Sequence, residues 1–389
     1  MRVLVIGDGA QDHALCWKLV ESPLVDELHC VPGNEGVAIL AECVPFGLGA
    51  VNTILDFCDD NEVEFIIINS LQTLTRGLAD MLIRKGYPCF GPDLAGVRLE
   101  SWKAFAHAAY ARFGVPTPAF AAFDNAEAAQ AYLAKTGVPI VVKGDVELHG
   151  KKVSICHTIE AAEAAILARL AAEEKAEIVI EELVQGEEIG FMAVTDGNVV
   201  LPLSSTTSKW DADGPGEYPG ALSPAPALTP EIQAEIIDRI LVPTVEGMKE
   251  ERRMCKGLLN ARIMLTAEGP KLLDYKVHFT DPDWVTIALR ISGDLMPALV
   301  SSFDEMLYRF NDFRWLPESA AVIVVQAPES ASMEQIARGC DAAEEADDDV
   351  VVFRARNTHV LHVTAAGTDL VDLRARLRAA AGRIFAACS

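Results

Sequence analysis

The sequence predicts a multidomain protein of mixed α/β and α+β class, and three observations carry that expectation. Residues 1–98 alternate short apolar runs with helix-like segments, the pattern of a parallel sheet. Residues 119–190 hold four strand-like runs and two helical stretches in a compact α+β module. Two further apolar runs, 257–265 and 270–274, form a hairpin turning near Gly269, and its second strand leads into polar residues at Asp274, Lys276 and His278.

Taken in order, Arg2-Val3-Leu4-Val5-Ile6-Gly7 is a strand ending in Gly-x-Gly, with helical character following over 13–20. The next strand, 28–31, meets the turn Pro32-Gly33-Asn34; an apolar strand at 65–69 precedes a helix over 76–85 and the segment Pro88-Cys89-Phe90-Gly91-Pro92. A helix near 102–113 stops at Gly114. The α+β module then runs strand 119–123, helix 125–136, strands 139–143 and 152–156, helix 160–174 and strand 177–182. Residues 204–226, rich in Ser, Gly and Pro, predict a long loop, followed by a helix over 230–249. Helices over 282–291 and 294–308 follow the hairpin. The last unit has strands at 320–326, 350–354 and 360–365 and a basic amphipathic C-terminal helix, with the acidic run 341–349 expected as a solvated loop.

Composition narrows the function. The chain has 389 residues, 50% hydrophobic and 23% charged, enough for two to four domains with separate cores. A net charge of −24 argues against non-specific binding to nucleic acid or to anionic membranes, because both would repel it. Nine scattered cysteines without a C-x-x-C pair predict reduced thiols and a cytoplasmic location, and no apolar stretch reaches the ~18 residues of a membrane span. The histidine pair His359-x-x-His362 alternates across a strand, so a zinc site there is not expected.

The candidate motifs each admit a bland reading. Gly7-Asp8-Gly9-Ala10 lacks the third glycine of a dinucleotide fingerprint; it is either a tight turn without ligand or a phosphate cradle at a helix N-terminus. Pro32-Gly33-Asn34-Glu35-Gly36 would share its sheet edge and so form a crevice with it. Lys143 ends an apolar strand and either snorkels to solvent or starts a phosphate clamp with the loop 144–152. The acids Glu181-Glu182 and Glu187-Glu188 are solvated surface, or one of them grips a ribose while the strand backbone reads a base. Asp274 and its polar neighbours are costly to bury without a ligand, metal or partner charge, and carboxylates so placed hold Mg²⁺ against nucleotide phosphates in many ATP-using enzymes.

In this order the segments resemble the glycinamide ribonucleotide synthetase (phosphoribosylamine–glycine ligase) family, ATP-grasp enzymes of purine synthesis. The matching residues include Val3–Gly7 with His13-Ala14-Leu15, Pro32-Gly33-Asn34, Phe90-Gly91-Pro92, Leu99-Glu100, Lys103-Ala104-Phe105, Pro139–Lys143, Ile180-Glu181-Glu182 with Gly186-Glu187-Glu188, Ser223–Pro226 and Asp281-Pro282. The likeness covers roughly residues 1–370. It implies a Rossmann-like N-terminal substrate domain (1–98), a large ATP-grasp lobe (99–118 and 191–317), a small lobe (119–190) and a C-terminal domain (318–389). It implies ATP and Mg²⁺ as cofactors, glycine or another amino acid and a phosphoribosylamine-like amine as substrates, and a monomer or homodimer. By the same resemblance Lys103 and Lys143 contact ATP phosphates, backbone from Glu182 to Val184 reads adenine, and Glu188 holds the ribose. Gly9, His13, Gly33, Asn34 and His278 bind substrate, Lys143 and Asp281 are catalytic, and Asp274 is a metal ligand.

The departures fall on the chemistry. Where the family reads Glu-Phe-Asn-Cys-Arg-Phe-Gly-Asp-Pro-Glu, this chain reads Asp274-Tyr275-Lys276-Val277-His278-Phe279-Thr280-Asp281-Pro282-Asp283. Lys276 occupies the second metal-ligand position with an ammonium that has no lone pair to give, so Mg²⁺ binding there is in doubt. The family's phosphate loop has lost its first and last glycines in 144–152, and its Gly-Pro-Glu is replaced by Asn69-Ser70-Leu71. Three readings follow: the family's ligase with altered ligands, a ligase for another amino acid and amine, and a catalytically impaired binding or regulatory homologue.

Overall fold

The computed structural model describes every residue except 149–150, 173–175, 211–216, 311–312 and 389. Among the described residues the strands form three sheets. The first is parallel and holds β1 (Arg2–Gly7), β2 (Glu27–Pro32), β3 (Glu42–Cys43), β4 (Phe65–Ile68) and β5 (Cys89–Phe90), in the order β3-β2-β1-β4-β5. Both faces are covered, which is why β1 and β4 are continuous apolar runs rather than alternating ones. The second sheet, β6 (Phe120–Phe123), β7 (Ile140–Leu148), β8 (Lys151–Cys156) and β9 (Ile178–Glu182), is antiparallel in the order β6-β9-β7-β8. Helices Ala126–Thr136 and Ile159–Leu170 close its core, capped by Asn125 and Thr158 through bonds to backbone N–H groups.

The third sheet has eight strands: β10 (Glu187–Thr195), β11 (Val200–Trp210), β12 (Glu217–Ser223), β13 (Gly257–Thr266), β14 (Gly269–Lys276), β15 (Ser319–Gln326), β16 (Val350–Arg354) and β17 (Val360–Gly367). Its order is β14-β13-β10-β11-β12-β15-β17-β16, so the C-terminal strands continue the sheet that starts at the hairpin.

Two expectations change here. The loop predicted over 204–226 is largely strand, because β11 and β12 bridge the hairpin half of the sheet to β15; residues 211–216 of it lie outside the described residues. Its hydroxyls, which suggest a loop in sequence, are buried and satisfied: Ser205 Oγ accepts from Ala225 N–H and Thr206 donates to Asp283 at 2.5 Å. The acidic run 341–349 is helical as far as Glu345, in the helix Met333–Glu345 that buries Cys340 and Ala343 and begins with a Ser332–Gln335 capping box. The helix expected over 230–249 is present as Pro230–Ile236 and Val242–Glu250, joined by a π turn at Ile237–Leu241 that precedes Pro243.

Gly220 shows how closely the central strands approach. A Cβ there would lie 1.8 Å from the Val322 carbonyl oxygen on β15. Gly220→Ala therefore forces β12 from β15 and is expected to cost about 1–3 kcal/mol in denaturant unfolding. A loss below about 0.5 kcal/mol would show that the strand pair yields freely.

Candidate functional site

The second and third sheets both contribute walls to a cavity of about 400 Å³. Its apolar lining is Val141, Val153, Ile155, Leu183, Val184, Met264 and Leu273. Its charged lining is Lys103, Lys143, Lys276 and Arg262, with the carboxylates Glu181, Glu182, Glu188 and Asp274. Backbone geometry sets this arrangement. Side chains alternate along β14, so Asp274 and Lys276 share a face. The register of β13 on β14 places Arg262 opposite Asp274 and Asn260 opposite Lys276.

The charges are paired in a definite way. Lys103, the first residue of the helix Lys103–Phe113, sets its Nζ 3.2 Å from Asp274 Oδ2, while its backbone N–H donates to Asp145 at 2.7 Å. Lys143 Nζ is 2.8 Å from Glu181 Oε1 and donates to the Leu273 carbonyl at 2.8 Å, so it ties the small sheet to β14. His107 also contacts Glu181. Arg262 donates through Nε to Glu188 at 3.2 Å and lies 3.8 Å from Asp283. Burial pushes Asp274 up, but Lys103, Lys143, Lys276 and Arg262 outweigh it and hold the carboxyl well below its usual range. Asp274 Oδ1 is buried without a hydrogen-bond partner.

Lys276 is turned toward Glu100, with Nζ 3.2 Å from Oε1. The other oxygen of Glu100 accepts from Val277 N–H at 2.9 Å and lies 3.0 Å from His278 Nδ1. Glu100 is 2% exposed, and burial would raise its pKa; His278 and Lys276 instead bring it down to about 2. His278, placed just beyond β14, thus sits beside the cavity rather than in its lining.

The structure gathers Lys103, Lys143, Glu182, Val184, Glu188, Asp274 and Lys276 around one cavity. It does not gather the N-terminal residues there. Gly33 and Asn34 line a separate shallow crevice of about 280 Å³ with Glu35, Cys43 and Arg356. Asn34 holds that edge together: its Nδ2 donates to the Gly9 carbonyl at 2.9 Å, and its Oδ1 accepts from Gly36 and Val37 N–H groups. The His13 ring packs edge-on against Phe353 with centroids 5.2 Å apart, and its Nδ1 accepts from Arg354 N–H at 3.2 Å. Burial lowers its pKa to about 3, so His13 is a neutral packing group between the first and third sheets.

Asp281 lies nearer the N-terminal sheet. Its Oδ2 is 3.7 Å from His362, and burial raises its pKa to about 7, helped by Asp283 and opposed by His278. A chain of bonds joins this region to the first turn. Phe279 N–H donates to Asn69 Oδ1 at 2.7 Å, Asn69 Nδ2 donates to Asp12 at 2.6 Å, and Asp12 accepts from Gly9 N–H at 2.8 Å. Of the histidine pair, His362 faces Asp281 while His359 Nε2 contacts the Ala331 carbonyl oxygen.

Sequence reasoning passed over Arg262 and the roles of Glu100, His107 and Asp283. The polar Asn260 and Arg262, two apart on an otherwise apolar strand, were the available signal. Glu181 and Glu182 are also split by alternation: the first is buried against Lys143, the second accepts from Ala119 N–H at 3.0 Å and is largely exposed.

Residues 1–100 match the Phosphoribosylglycinamide synthetase N domain, and residues 101–284 match the Phosphoribosylglycinamide synthetase ATP-grasp (A) domain. The chain belongs to the phosphoribosylglycinamide synthetase family. It is 33% identical to a phosphoribosylamine–glycine ligase of Brucella melitensis, over 97% of this chain and 93% of the relative. The fold is ATP-grasp, behind an N-terminal Rossmann-like sheet. A phosphoribosylamine–glycine ligase structure from Thermotoga maritima superposes with a TM-score of 0.77 at 22% identity, covering 98% of this chain and 97% of the other. A biotin carboxylase–β,γ-ATP complex from Campylobacter jejuni superposes with a TM-score of 0.71 at 12% identity, covering 98% and 91%. ATP-grasp enzymes in general use ATP and Mg²⁺.

Among the described residues no group of three or more His, Cys, Asp or Glu side chains is placed to hold a metal ion. In the cavity each carboxylate already meets a cation, and the carboxyl of Asp274, whose Oδ1 is buried without a hydrogen-bond partner, lies in the field of Lys103, Lys143, Lys276 and Arg262. Those residues do not fit a divalent ion at the position beside Asp274.

Proposed function

We propose that the chain is an ATP-dependent carboxylate–amine ligase of the phosphoribosylamine–glycine ligase type. The observation that carries the reading is a cavity whose lining joins apolar side chains to three lysines and an arginine. The apolar lining from Val141 to Leu273 takes the adenine, with backbone from Glu182 to Val184 reading its edge and Glu188 holding the ribose. Lys103 and Lys143 take the phosphates as fixed point charges, Lys143 being the residue that the transferring group meets.

The γ-phosphoryl group passes to an oxygen of glycine's carboxylate, releasing ADP and giving an acyl phosphate. The amine of phosphoribosylamine then attacks the acyl carbon, the C–O bond to phosphate breaks, and the amine loses a proton. We assign that proton to Asp281, whose pKa is raised to about 7 by burial and whose Oδ2 lies 3.7 Å from His362. The crevice at Gly33 and Asn34, beside the turn at Gly9, receives the phosphoribosyl group.

The test is ADP formation by the full chain with ATP, glycine and phosphoribosylamine. ADP release that requires both substrates is the expected result. ADP release only with a different amino acid would replace glycine, and none with any amino acid would overturn the ligase reading.

A further inference from the structure

We infer that Lys276 is a tethered counter-cation for the nucleotide polyphosphate, so that this chain binds a nucleoside triphosphate without a divalent metal. The inference rests on the nucleotide reading of the cavity and departs from the general ATP-grasp use of Mg²⁺.

Three features of the cavity support it. Lys276 lines the cavity and its side chain is partly exposed, beside the wall that Lys103 and Lys143 also line. Its position is set from outside the cavity by buried Glu100, 3.2 Å away, which is itself fixed by Val277 N–H and His278. A lysine held in this way gives up little rotamer freedom when a phosphate arrives.

The second feature is the surrounding charge. A divalent ion beside Asp274 would share the cavity wall with Lys103, Lys143, Lys276 and Arg262, and the Lys103 ammonium already stands 3.2 Å from Asp274 Oδ2. The third is that Lys103 and Lys143 are pinned to Asp274, Glu181 and the Leu273 carbonyl and occupy the same wall. Three ammonium groups from three different elements therefore converge where a metal would otherwise neutralise the polyphosphate.

The experiment is calorimetric titration of the full chain with a non-hydrolysable ATP analogue, in excess EDTA and in excess Mg²⁺. The expected result is a Kd in EDTA within roughly threefold of that in Mg²⁺. Lys276→Asn is expected to lose about tenfold or more of the EDTA affinity and to recover it with Mg²⁺, while Lys276→Arg keeps metal-free binding. Thermal unfolding of both variants confirms that they are folded. Wild-type binding strengthened about tenfold or more by Mg²⁺, or unchanged EDTA affinity in Lys276→Asn, would overturn the inference. Metal-free binding by a chain that forms no ADP with glycine and phosphoribosylamine leaves the inference standing and overturns only the ligase reading. No binding in either buffer overturns both.

Discussion

Glu181→Ala is expected to lower stability by about 3–5 kcal/mol and to remove nucleotide binding, because it breaks a buried ion pair by deleting one partner. Glu181 is 2% exposed and serves two groups, Lys143 at 2.8 Å and His107. Burial pushes its carboxyl up, and the bond to His107 and the charge of Lys143 more than reverse that shift. Both ring nitrogens of His107 face oxygen acceptors, Glu181 on one side and the Lys103 carbonyl at 2.8 Å on the other. Deleting the carboxylate would leave the Lys143 ammonium buried with only the Leu273 carbonyl, and would loosen the turn that starts the helix at Lys103. Lys143→Met is the companion variant. It leaves Glu181 paired with His107, so it should cost less stability while still removing a phosphate contact. Urea unfolding and nucleotide titration on both variants separate the two effects. A Glu181→Ala loss within about 1 kcal/mol of wild type would show that water or a rearranged neighbour replaces the carboxylate.

Glu100→Gln is expected to cost about 3 kcal/mol at neutral pH and to flatten the acid limb of the stability curve. The carboxyl falls from an ordinary 4.5 to about 2 in the folded chain, against the opposing pull of burial, because His278, Lys276 and Val277 N–H all favour its ionised form. A folded pKa below the unfolded one means the unfolded chain binds more protons in that window. The stabilisation is therefore fully present above about pH 4.5 and is lost as pH falls toward 2. Glutamine keeps an acceptor for Val277 N–H but leaves Lys276 and His278 without their counter-charge. Asp12 and Asp281 act in the opposite sense. Both are raised to about 7, chiefly by burial, so they take up protons on folding and add stability as pH falls from 7 toward 4. Thermal unfolding between pH 8 and 3 should thus show, in the variant, the rising limb without the full acid loss. An acid limb as steep as wild type would assign the loss to other carboxylates.

Much of this molecule was legible from residue order. Apolar runs placed β1, β4, β7, β9, β13 and β14, because period and burial are local consequences of backbone geometry. The strands β11 and β12 were not legible. Their serines, threonines and prolines have loop propensity, and only contacts with Ala225, Asp283 and β15 make them strand. The helix Met333–Glu345 was hidden for a similar reason, since its acidic face carries the charge while Ile336, Cys340 and Ala343 face the core.

The candidate site divides in the same way. Lys143, Asp274 and Lys276 could be singled out one by one, each as a charged group at the end of an apolar strand, and Lys103 through the family resemblance. Their sharing of one cavity depends on β7, β14 and the helix Lys103–Phe113 meeting, which no local pattern encodes. The sequence by itself determined the parallel N-terminal sheet, the ATP-grasp order of elements and the exchange of a neutral ligand position for Lys276. Tertiary structure alone decided that Glu100, 176 positions earlier, holds that ammonium at 3.2 Å, and that Arg262 stands opposite Asp274. Electrostatic partners act through space at a few ångströms, so a charge's role is settled by what the fold brings beside it.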